Sequence, residues 1–324
     1  MTSPTSRRQF LAGLAAAAAS GIPAFARSRP ERFPSPFRVS VITDEISQDF
    51  GHACDVAANE FGMSWVELRG LWGKNLLSLD AKEIAEARRI LEKHALRVTD
   101  IASPLFKVDW PGAAKSKFSP AGGQFGADFT YDQQGEVLDR SIALAKSFRT
   151  KRIRCFDFWR LDDPAPHRAA INRKLLDAAN KTGSQGLLLV VENEPSCNTA
   201  TGAEAAQLLA SVKSPHLLLN WDPGNAATLG EIPYPDGYHL LPKERIGHCH
   251  CKDAVKKPGS SGYEWAPVGQ GSIDWVGQFR ALQRDGYRLA VSLETHWRGA
   301  GSAEESTRRS WAGMKAALER AAKS

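Results

Sequence analysis

Four segments of the chain end an apolar run on a side chain that can bind a metal ion. They are residues 186–194 with Glu192 and Glu194, 216–222 with Asp222, 246–250 with His248 and His250, and 289–294 with Glu294. Short, nearly continuous apolar runs are typical of strands buried on both faces, and in a (β/α)8 barrel the chemistry gathers where such strands end. The pattern therefore predicts a metal site at the mouth of a parallel barrel.

The donor types narrow the choice of ion. One ligand from each of the four segments gives three carboxylates and one imidazole, a hard, oxygen-rich set that suits Mn²⁺, Mg²⁺ or Co²⁺ better than a structural Zn²⁺. A thiolate site is the weaker alternative, because the five cysteines form neither a CxxC pair nor an even disulfide set. Cys249 and Cys251 alternate with the two histidines, so on a strand they face the surrounding helices. We expect free, mostly buried thiols.

Strand-like runs alternate along the chain with helical patterns. The predicted strands are 37–43, 65–68, 97–102, 152–156, 187–191, 217–220, 246–250 and 289–293. The predicted helices are 50–61, 81–94, 135–148, 167–181, 202–212, 275–286 and 303–323. No G-x-G-x-x-G follows the first strand, which argues against a dinucleotide-binding sheet. Eight strands, seven of them followed by a helix, predict an α/β fold, a single-domain (β/α)8 TIM barrel.

Three connections depart from the regular repeat. Residues 229–242 are rich in Gly and Pro, which predicts a loop with a short or missing helix. Residues 107–134 and 252–272 are long loops above the barrel. Loops of this length in compact domains are usually functional lids or mobile insertions, with solvated surface as the alternative.

The N-terminal residues have the order of an export signal. Arg7 and Arg8 precede an Ala-rich apolar stretch, and residues 24–26 have the small-x-small pattern of a cleavage site. This resembles a bacterial twin-arginine signal peptide over residues 1–26, followed by a linker at 27–36 and a barrel domain at 37–324. We expect a periplasmic or secreted protein. The apolar stretch is too short for a stable membrane span, and we expect no stable membrane insertion of the protein after cleavage.

Charge gives little support for a nucleic-acid partner. Loss of Arg7 and Arg8 with the signal lowers the formal net charge from +6 to +4, and the remaining positive charge is evenly spread. We expect a small-molecule carbohydrate partner and no nucleic acid. The sequence leaves homo-oligomerisation open.

The motifs, taken together, resemble a known family. They are Val-Glu-Asn-Glu at 191–194, Asp-Pro-Gly-Asn at 222–225, His-Cys-His-Cys-Lys-Asp at 248–253, Val-Gly-Gln-Gly-Ser-Ile-Asp at 268–274, and Ser-Leu-Glu at 292–294. They look like the sugar isomerase and epimerase branch of the xylose-isomerase-like barrel superfamily, and the similarity runs from Phe37 to the C-terminus. That superfamily also contains ketose 3-epimerases, inosose dehydratases and endonucleases of the endonuclease-four type. The resemblance implies a divalent metal held by Glu192, Asp222, His250 and Glu294.

The resemblance also implies a mechanism. In ketose epimerases, one carboxylate takes a proton from the carbon beside a carbonyl, and another returns one on the opposite face. The metal polarises the carbonyl and holds the enediolate charge. Glu192 and Glu294 are thus the candidate catalytic residues as well as ligands.

Further residues near the strand ends are candidates for substrate binding. Each has a structural alternative: a loop carboxylate, a satisfied core histidine, a solvated lysine, or an aromatic ring that packs in the core or rim. The candidates are Glu194, His248, Lys252, Asn225, Trp159 and Trp297. The related endonucleases carry a metal-binding histidine where this chain has Asn225, which argues against a multi-metal phosphodiesterase.

Three functions are consistent with these residues. The first is a metal-dependent isomerase or epimerase of an unphosphorylated ketose or keto-sugar. The second is a metal-dependent lyase or dehydratase on a keto-glycoside or cyclitol, since elimination begins with the same proton abstraction. The third is a noncatalytic carbohydrate-binding barrel, against which the presence of all four ligands argues.

Overall fold

Eight parallel strands form the central sheet. The structure, a computed structural model, describes residues 32–120, 128–260 and 262–323, which belong to one compact unit. The predicted signal peptide and the first part of the predicted linker lie outside the described residues. The strands are β1 Arg38–Val41, β2 Trp65–Leu68, β3 Arg97–Leu105, β4 Arg152–Cys155, β5 Leu188–Glu192, β6 Leu217–Trp221, β7 Ile246–Cys251 and β8 Ala290–Leu293.

The order of the strands is that of a barrel. Each strand from β2 to β7 pairs with the next one along the chain, and β8 pairs with β1. Between β1 and β2 a parallel bridge joins Ile42 to Glu67, so the sheet nearly closes on itself. The predicted single-domain α/β TIM barrel is confirmed.

Helices follow the strands and surround the sheet. They are α1 Phe50–Asp55, α2 Ala81–Lys93, α3 Gln134–Ser147, α4 Arg168–Ser184, α5 Gly202–Ser211, α6 Pro223–Thr228, α7 Tyr238–Leu240, α8 Trp275–Arg284 and α9 Ala303–Ala321. Capping boxes begin two of them: Asp80 with Glu83 at α2, and Thr201 with Glu204 at α5. Within the described ranges, no helix combines the length and apolar character needed to cross a membrane.

Local structure differs from the sequence-based prediction in three places. The loop predicted at 252–272 contains an antiparallel hairpin of Asp253–Lys256 with Tyr263–Ala266, and a smaller hairpin joins Gly70–Leu71 to Lys74–Asn75. Helix α6 directly follows β6, where no helix was predicted, because Asp222 caps its N-terminus and Pro223 takes the first helical position. In residues 229–242, for which a loop with a short or missing helix was predicted, the structure contains the short helix α7.

Alternation along β7 separates the two sides of the barrel wall. Cys249 and Cys251 are buried in the apolar core, and all five cysteines are free and buried, as predicted. His250, by contrast, hydrogen-bonds through its Nε2 to Glu67 of β2, a strand that does not neighbour β7. The histidines therefore face the barrel interior.

Candidate metal centre

Four side chains meet at the carboxyl ends of neighbouring strands. Glu192 is the last residue of β5, Asp222 directly follows β6, His250 lies in β7 and Glu294 directly follows β8. One ligand atom from each lies within 4.8 Å of the others. All four are buried, none more than 3% exposed. The convergence predicted for these segments is present.

His250 lies at the centre of the group. Its Nδ1 is 3.2 Å from Glu192 Oε1, 3.2 Å from Glu294 Oε2 and 3.6 Å from Asp222 Oδ2. Strand register sets this arrangement, because Asn220 of β6 is level with His248 of β7. Two residues further along both strands, Asp222 and His250 are then level as well.

Asp222 divides its two oxygens between a helix and the site. Oδ1 accepts the backbone N–H of Asn225 at 2.9 Å, as the N-cap of α6, and the Asp222 backbone N–H donates to Asn193 Oδ1 at 2.8 Å. These two bonds fix the carboxylate. Oδ2 is fully buried and accepts no hydrogen bond of good geometry. Helix capping therefore uses Oδ1 and leaves Oδ2 directed at the other candidate ligands.

Lys252 supplies positive charge beside the ligands. Its Nζ donates to Glu294 Oε2 at 2.7 Å and lies 2.9 Å from Asp222 Oδ2. The residue is 2% exposed. Burial lowers its pKa, but the attraction of the two carboxylates outweighs burial and raises it. Lys252 is therefore a buried ammonium.

Two arginines and one amide fix the glutamates. Arg154 and Asn225 donate to opposite oxygens of Glu192, at 3.1 Å and 3.2 Å. Arg69 donates to Glu294 Oε1 at 3.1 Å. Bonds from several directions limit the rotamers of both glutamates.

The electrostatic environment keeps both glutamates ionised. Burial alone raises the pKa of Glu192, but the charges of His250 and Arg154 outweigh it and lower the pKa. At Glu294 burial also raises the pKa, but the charges of Lys252 and His250 outweigh it and lower the pKa well below its usual value. At Asp222 burial dominates over Lys252, and the pKa is raised. The site therefore offers two strongly ionised carboxylates and a third that a cation would keep ionised.

The six residues predicted to bind substrate lie in different places relative to the candidate ligands. Lys252 and Asn225 contact the ligand carboxylates directly. Glu194 lies beyond the end of β5, half-buried, where its Oε2 accepts from Lys107 Nζ at 3.0 Å. Trp159 is 4% exposed and packs with Phe156 and Cys197.

The other two lie elsewhere around the group. His248 is enclosed below His250, where its Nδ1 is 3.0 Å from Asn220 Oδ1 and burial lowers its pKa to about 3. Trp297 is half-buried at the rim, with the Arg309 guanidinium 5.9 Å from its ring centroid.

Several residues that contact the candidate ligands escaped the sequence analysis. Glu67 accepts a hydrogen bond from His250, and Arg69 contacts Glu294. His296 Nε2 is 3.2 Å from Glu294 Oε1 and is 27% exposed, so it connects that carboxylate with solvent. One sequence feature could have indicated Glu67: it is a charged residue between Val66 and Leu68 in a short apolar run. A charged side chain in a strand buried on both faces needs a partner inside the barrel.

The residues present suit a divalent cation. The four ligand atoms comprise three carboxylate oxygens and one imidazole nitrogen, a donor set typical of Mg²⁺ or Mn²⁺ centres. The buried Oδ2 of Asp222 accepts no hydrogen bond of good geometry and lies 2.9 Å from the Lys252 ammonium and 3.6 Å from His250 Nδ1, where it is available as a ligand atom. We conclude that the donor chemistry and the available Asp222 oxygen fit a metal.

Solved structures share this architecture. The probable 3-DHS dehydratase AsbF of Bacillus anthracis, described as involved in petrobactin synthesis, matches with a TM-score of 0.63 and 20% identity, covering 86% of this chain and 98% of that one. A D-allulose 3-epimerase from Methylomonas sp. matches with a TM-score of 0.64 and 16% identity, covering 89% and 99%. A xylose isomerase-like TIM barrel protein from Mycobacterium smegmatis, solved in complex with magnesium, matches with a TM-score of 0.62 and 16% identity, covering 89% and 98%.

A longer protein also matches. The chain spans 42% of a xylose isomerase-like TIM barrel/4-hydroxyphenylpyruvate dioxygenase fusion protein, with 86% of its own residues covered, 18% identity and a TM-score of 0.64. At such identities these matches show the fold alone. Comparison with curated proteins finds no significant match. The xylose isomerase-like TIM barrel family model matches residues 56–322. The chain therefore belongs to the xylose isomerase-like TIM barrel family.

Proposed function

We propose that the protein is a divalent-metal-dependent isomerase or epimerase of an unphosphorylated ketose or keto-sugar. The observation that carries the proposal is the meeting of Glu192, Asp222, His250 and Glu294 within 4.8 Å at the barrel mouth. Two of these, Glu192 and Glu294, come from β5 and β8, which lie apart in the barrel. They can therefore approach a bound substrate from different sides.

The four residues would hold the ion. When bound, Mg²⁺, Mn²⁺ or Co²⁺ supplies Lewis acidity, which polarises a carbonyl group and stabilises negative charge beside it. Asp222 and His250 have no proposed task beyond ligation.

The two glutamates would move the proton. A carboxylate that is ionised at neutral pH can accept a proton from the carbon beside a carbonyl, and the second carboxylate can return one from the opposite side. Arg154 and Asn225 orient Glu192, whereas Arg69 and Lys252 orient Glu294. His296 lies between Glu294 and solvent and offers a path for proton exchange.

Charge balance at the mouth favours a neutral substrate. Arg69, Lys107, Arg154 and Lys252 each lie within 3.1 Å of a carboxylate oxygen. Cations engaged in this way offer little to a phosphate, which needs several N–H donors or a positive cluster. Aromatic and hydrogen-bonding contacts would hold an uncharged sugar instead.

Elimination by the same residues is the second candidate. A structural relative, AsbF, is described as a probable dehydratase, and loss of a β-substituent begins with the same proton abstraction. A keto-glycoside or cyclitol would then be the substrate. A noncatalytic carbohydrate-binding barrel would bind sugar and convert none.

A product screen in D2O separates these functions. Metal-loaded protein is incubated with unphosphorylated ketoses, keto-glycosides and cyclitols and with matched phosphorylated sugars, and products are analysed by mass spectrometry and NMR. We expect a product that conserves mass apart from deuterium at the carbon beside the carbonyl. Loss of water or an aglycone would identify elimination, and a strong preference for phosphorylated sugars would contradict the substrate proposal.

Variants test the two glutamates. Glu192→Gln and Glu294→Gln should each remove most turnover, about 10²-fold or more, because general acid–base groups typically contribute that much. Metal content is measured in both variants, so that loss of the ion is distinguished from loss of the base. Unchanged turnover in both would show that the acid/base assignment is wrong.

We also propose that residues 1–26 direct export of the folded protein. Arg7, Arg8, the apolar stretch and the cleavage pattern at 24–26 support this. N-terminal sequencing of exported protein should begin near Arg27, and Arg7→Lys with Arg8→Lys should block export. Exported protein that retains Met1 would contradict cleavage.

A further inference from the structure

Glu67 contacts the metal-ligand group from across the barrel. It lies in β2, is fully buried, and approaches His250 Nε2 with both oxygens, Oε1 at 3.0 Å and Oε2 at 3.2 Å. The other ring nitrogen, Nδ1, is directed at the carboxylates of Glu192 and Glu294. The imidazole of His250 therefore lies between one carboxylate behind it and the candidate ligands in front.

This arrangement bears on which nitrogen can bind an ion. A histidine that ligates a metal through one nitrogen carries its proton on the other, and an acceptor at the second nitrogen decides the choice. Glu67 is an acceptor at Nε2. It leaves the lone pair of Nδ1 directed at the ligand group.

We propose that Glu67 is a positioning residue, which holds His250 with Nε2 protonated and Nδ1 directed at the metal. The inference rests on the proposed function, since it requires the metal site. Glu67 is not itself a ligand in this scheme, and it contacts neither substrate nor reacting atoms.

The contacts of the Glu67 side chain support one role, the positioning of His250. In the described part of the chain, both hydrogen bonds of the Glu67 side chain go to the same nitrogen, Nε2 of His250. His248 Nε2 is 3.6 Å from Glu67 Oε2, too far for a hydrogen bond, and His248 is already engaged by Asn220 through Nδ1. His248 therefore does not replace His250 as the hydrogen-bond partner of Glu67.

Strand geometry directs the side chain inward. The pairing of β2 with β3 shifts register between Val66 and Leu68, and Glu67 lies at that irregularity. Glu67 is also the residue that bridges to Ile42, where β1 and β2 close the barrel. Irregular pairing of this kind re-aims side chains and is frequent beside functional sites.

Metal affinity in Glu67→Gln tests the proposal. Co²⁺ affinity is measured by chelator competition together with the visible absorption spectrum of the bound ion. We expect Glu67→Gln to bind Co²⁺ about 10–100-fold more weakly, with an altered spectrum, since a neutral amide oxygen is a weaker acceptor than a carboxylate and changes behind a metal ligand typically have effects of this size. Glu67→Asp should recover part of the affinity.

A matched control removes a different buried carboxylate. Asp157 is also fully buried and binds Arg168 and Thr199, outside the ligand group. Asp157→Asn should change Co²⁺ affinity less than about threefold, even where it lowers the unfolding temperature. If folded Glu67→Gln binds Co²⁺ as the wild type does, the positioning role is overturned. Wild-type protein that binds no divalent ion would contradict the proposed function and, with it, this inference.

A measurement on the wild-type protein tests the proposal even if Glu67→Gln does not fold. Long-range ¹H–¹⁵N NMR of histidine-labelled, Mg²⁺-loaded protein reports the protonated nitrogen of each ring, and His250→Gln assigns the signal. We expect a proton on Nε2 of His250 and none on Nδ1. A proton on Nδ1 in the loaded protein would overturn the proposal.

Discussion

Replacing Lys252 by methionine tests how the ligand carboxylates balance their negative charge. The Lys252 ammonium lies 2.7 Å from Glu294 Oε2 and 2.9 Å from Asp222 Oδ2, with the side chain 2% exposed. Methionine retains most of the apolar stem and removes the charge. The substitution leaves two buried carboxylate oxygens without their cation.

The expected loss depends on whether a divalent ion is present. Breaking a buried ion pair from one side costs about 3–5 kcal/mol, so in chelator the free energy of unfolding of Lys252→Met should fall by about 3 kcal/mol. A divalent ion supplies the missing positive charge, and it no longer meets repulsion from the ammonium. The difference from wild type should therefore shrink by about 1.4 kcal/mol or more at saturating Mg²⁺, which is a tenfold or greater gain in ion affinity.

Urea unfolding with chelator and with saturating Mg²⁺ measures both quantities, and calorimetric titration checks the affinity independently. Lys107→Met is the control, because Lys107 binds Glu194 at 3.0 Å, a carboxylate outside the ligand group, and is similarly buried. Its loss of stability should be the same in both conditions. If Lys252→Met also loses the same stability with and without Mg²⁺, Lys252 does not balance the ligand charge.

Two further predictions concern pH and packing. Burial lowers the pKa of His250, but the surrounding carboxylates outweigh it and raise the pKa well above the usual value. A proton on Nδ1 then competes with the ion, so ion affinity should rise with pH, by up to about tenfold per pH unit while one proton is released. Calorimetric titration across pH 5–8 measures this change. An affinity that falls as pH rises would contradict the prediction. In α9, a Cβ on Gly313 would lie 1.7 Å from the Val268 carbonyl oxygen, so Gly313→Ala should cost about 1–3 kcal/mol in urea unfolding. Gly135→Ala in α3, where a Cβ has nothing within 4 Å, should be neutral or stabilising, and equal losses in both variants would refute the close contact.

Local patterns were sufficient to predict the barrel. Each strand is a short apolar run between turn signals, and burial on both faces gives that pattern directly. The positions of the four candidate ligands were predictable for the same reason, because a carboxylate or histidine that ends such a run lies at the barrel mouth. Asp222 shows the limit of the approach. A turn and a helix start share the Asp-Pro signal, and the structure contains the helix.

The residues around the ligands were harder to predict, because their partners are distant in sequence. Glu67 binds His250, which lies 183 positions further along the chain, and no spacing rule joins them. Arg69 reaches Glu294 across an even longer separation. Such contacts depend on barrel closure and on the register shift in β2, neither of which a single sequence encodes locally.

Metal content is the most direct test of the central claim. Protein purified without chelator is analysed for metals, and apo protein is titrated with Mg²⁺, Mn²⁺ and Co²⁺. We predict about one divalent ion per chain, and loss of binding in Asp222→Ala and His250→Ala variants that remain folded. Absence of metal after purification, together with no binding on titration, would contradict the claim that these four residues form a metal centre.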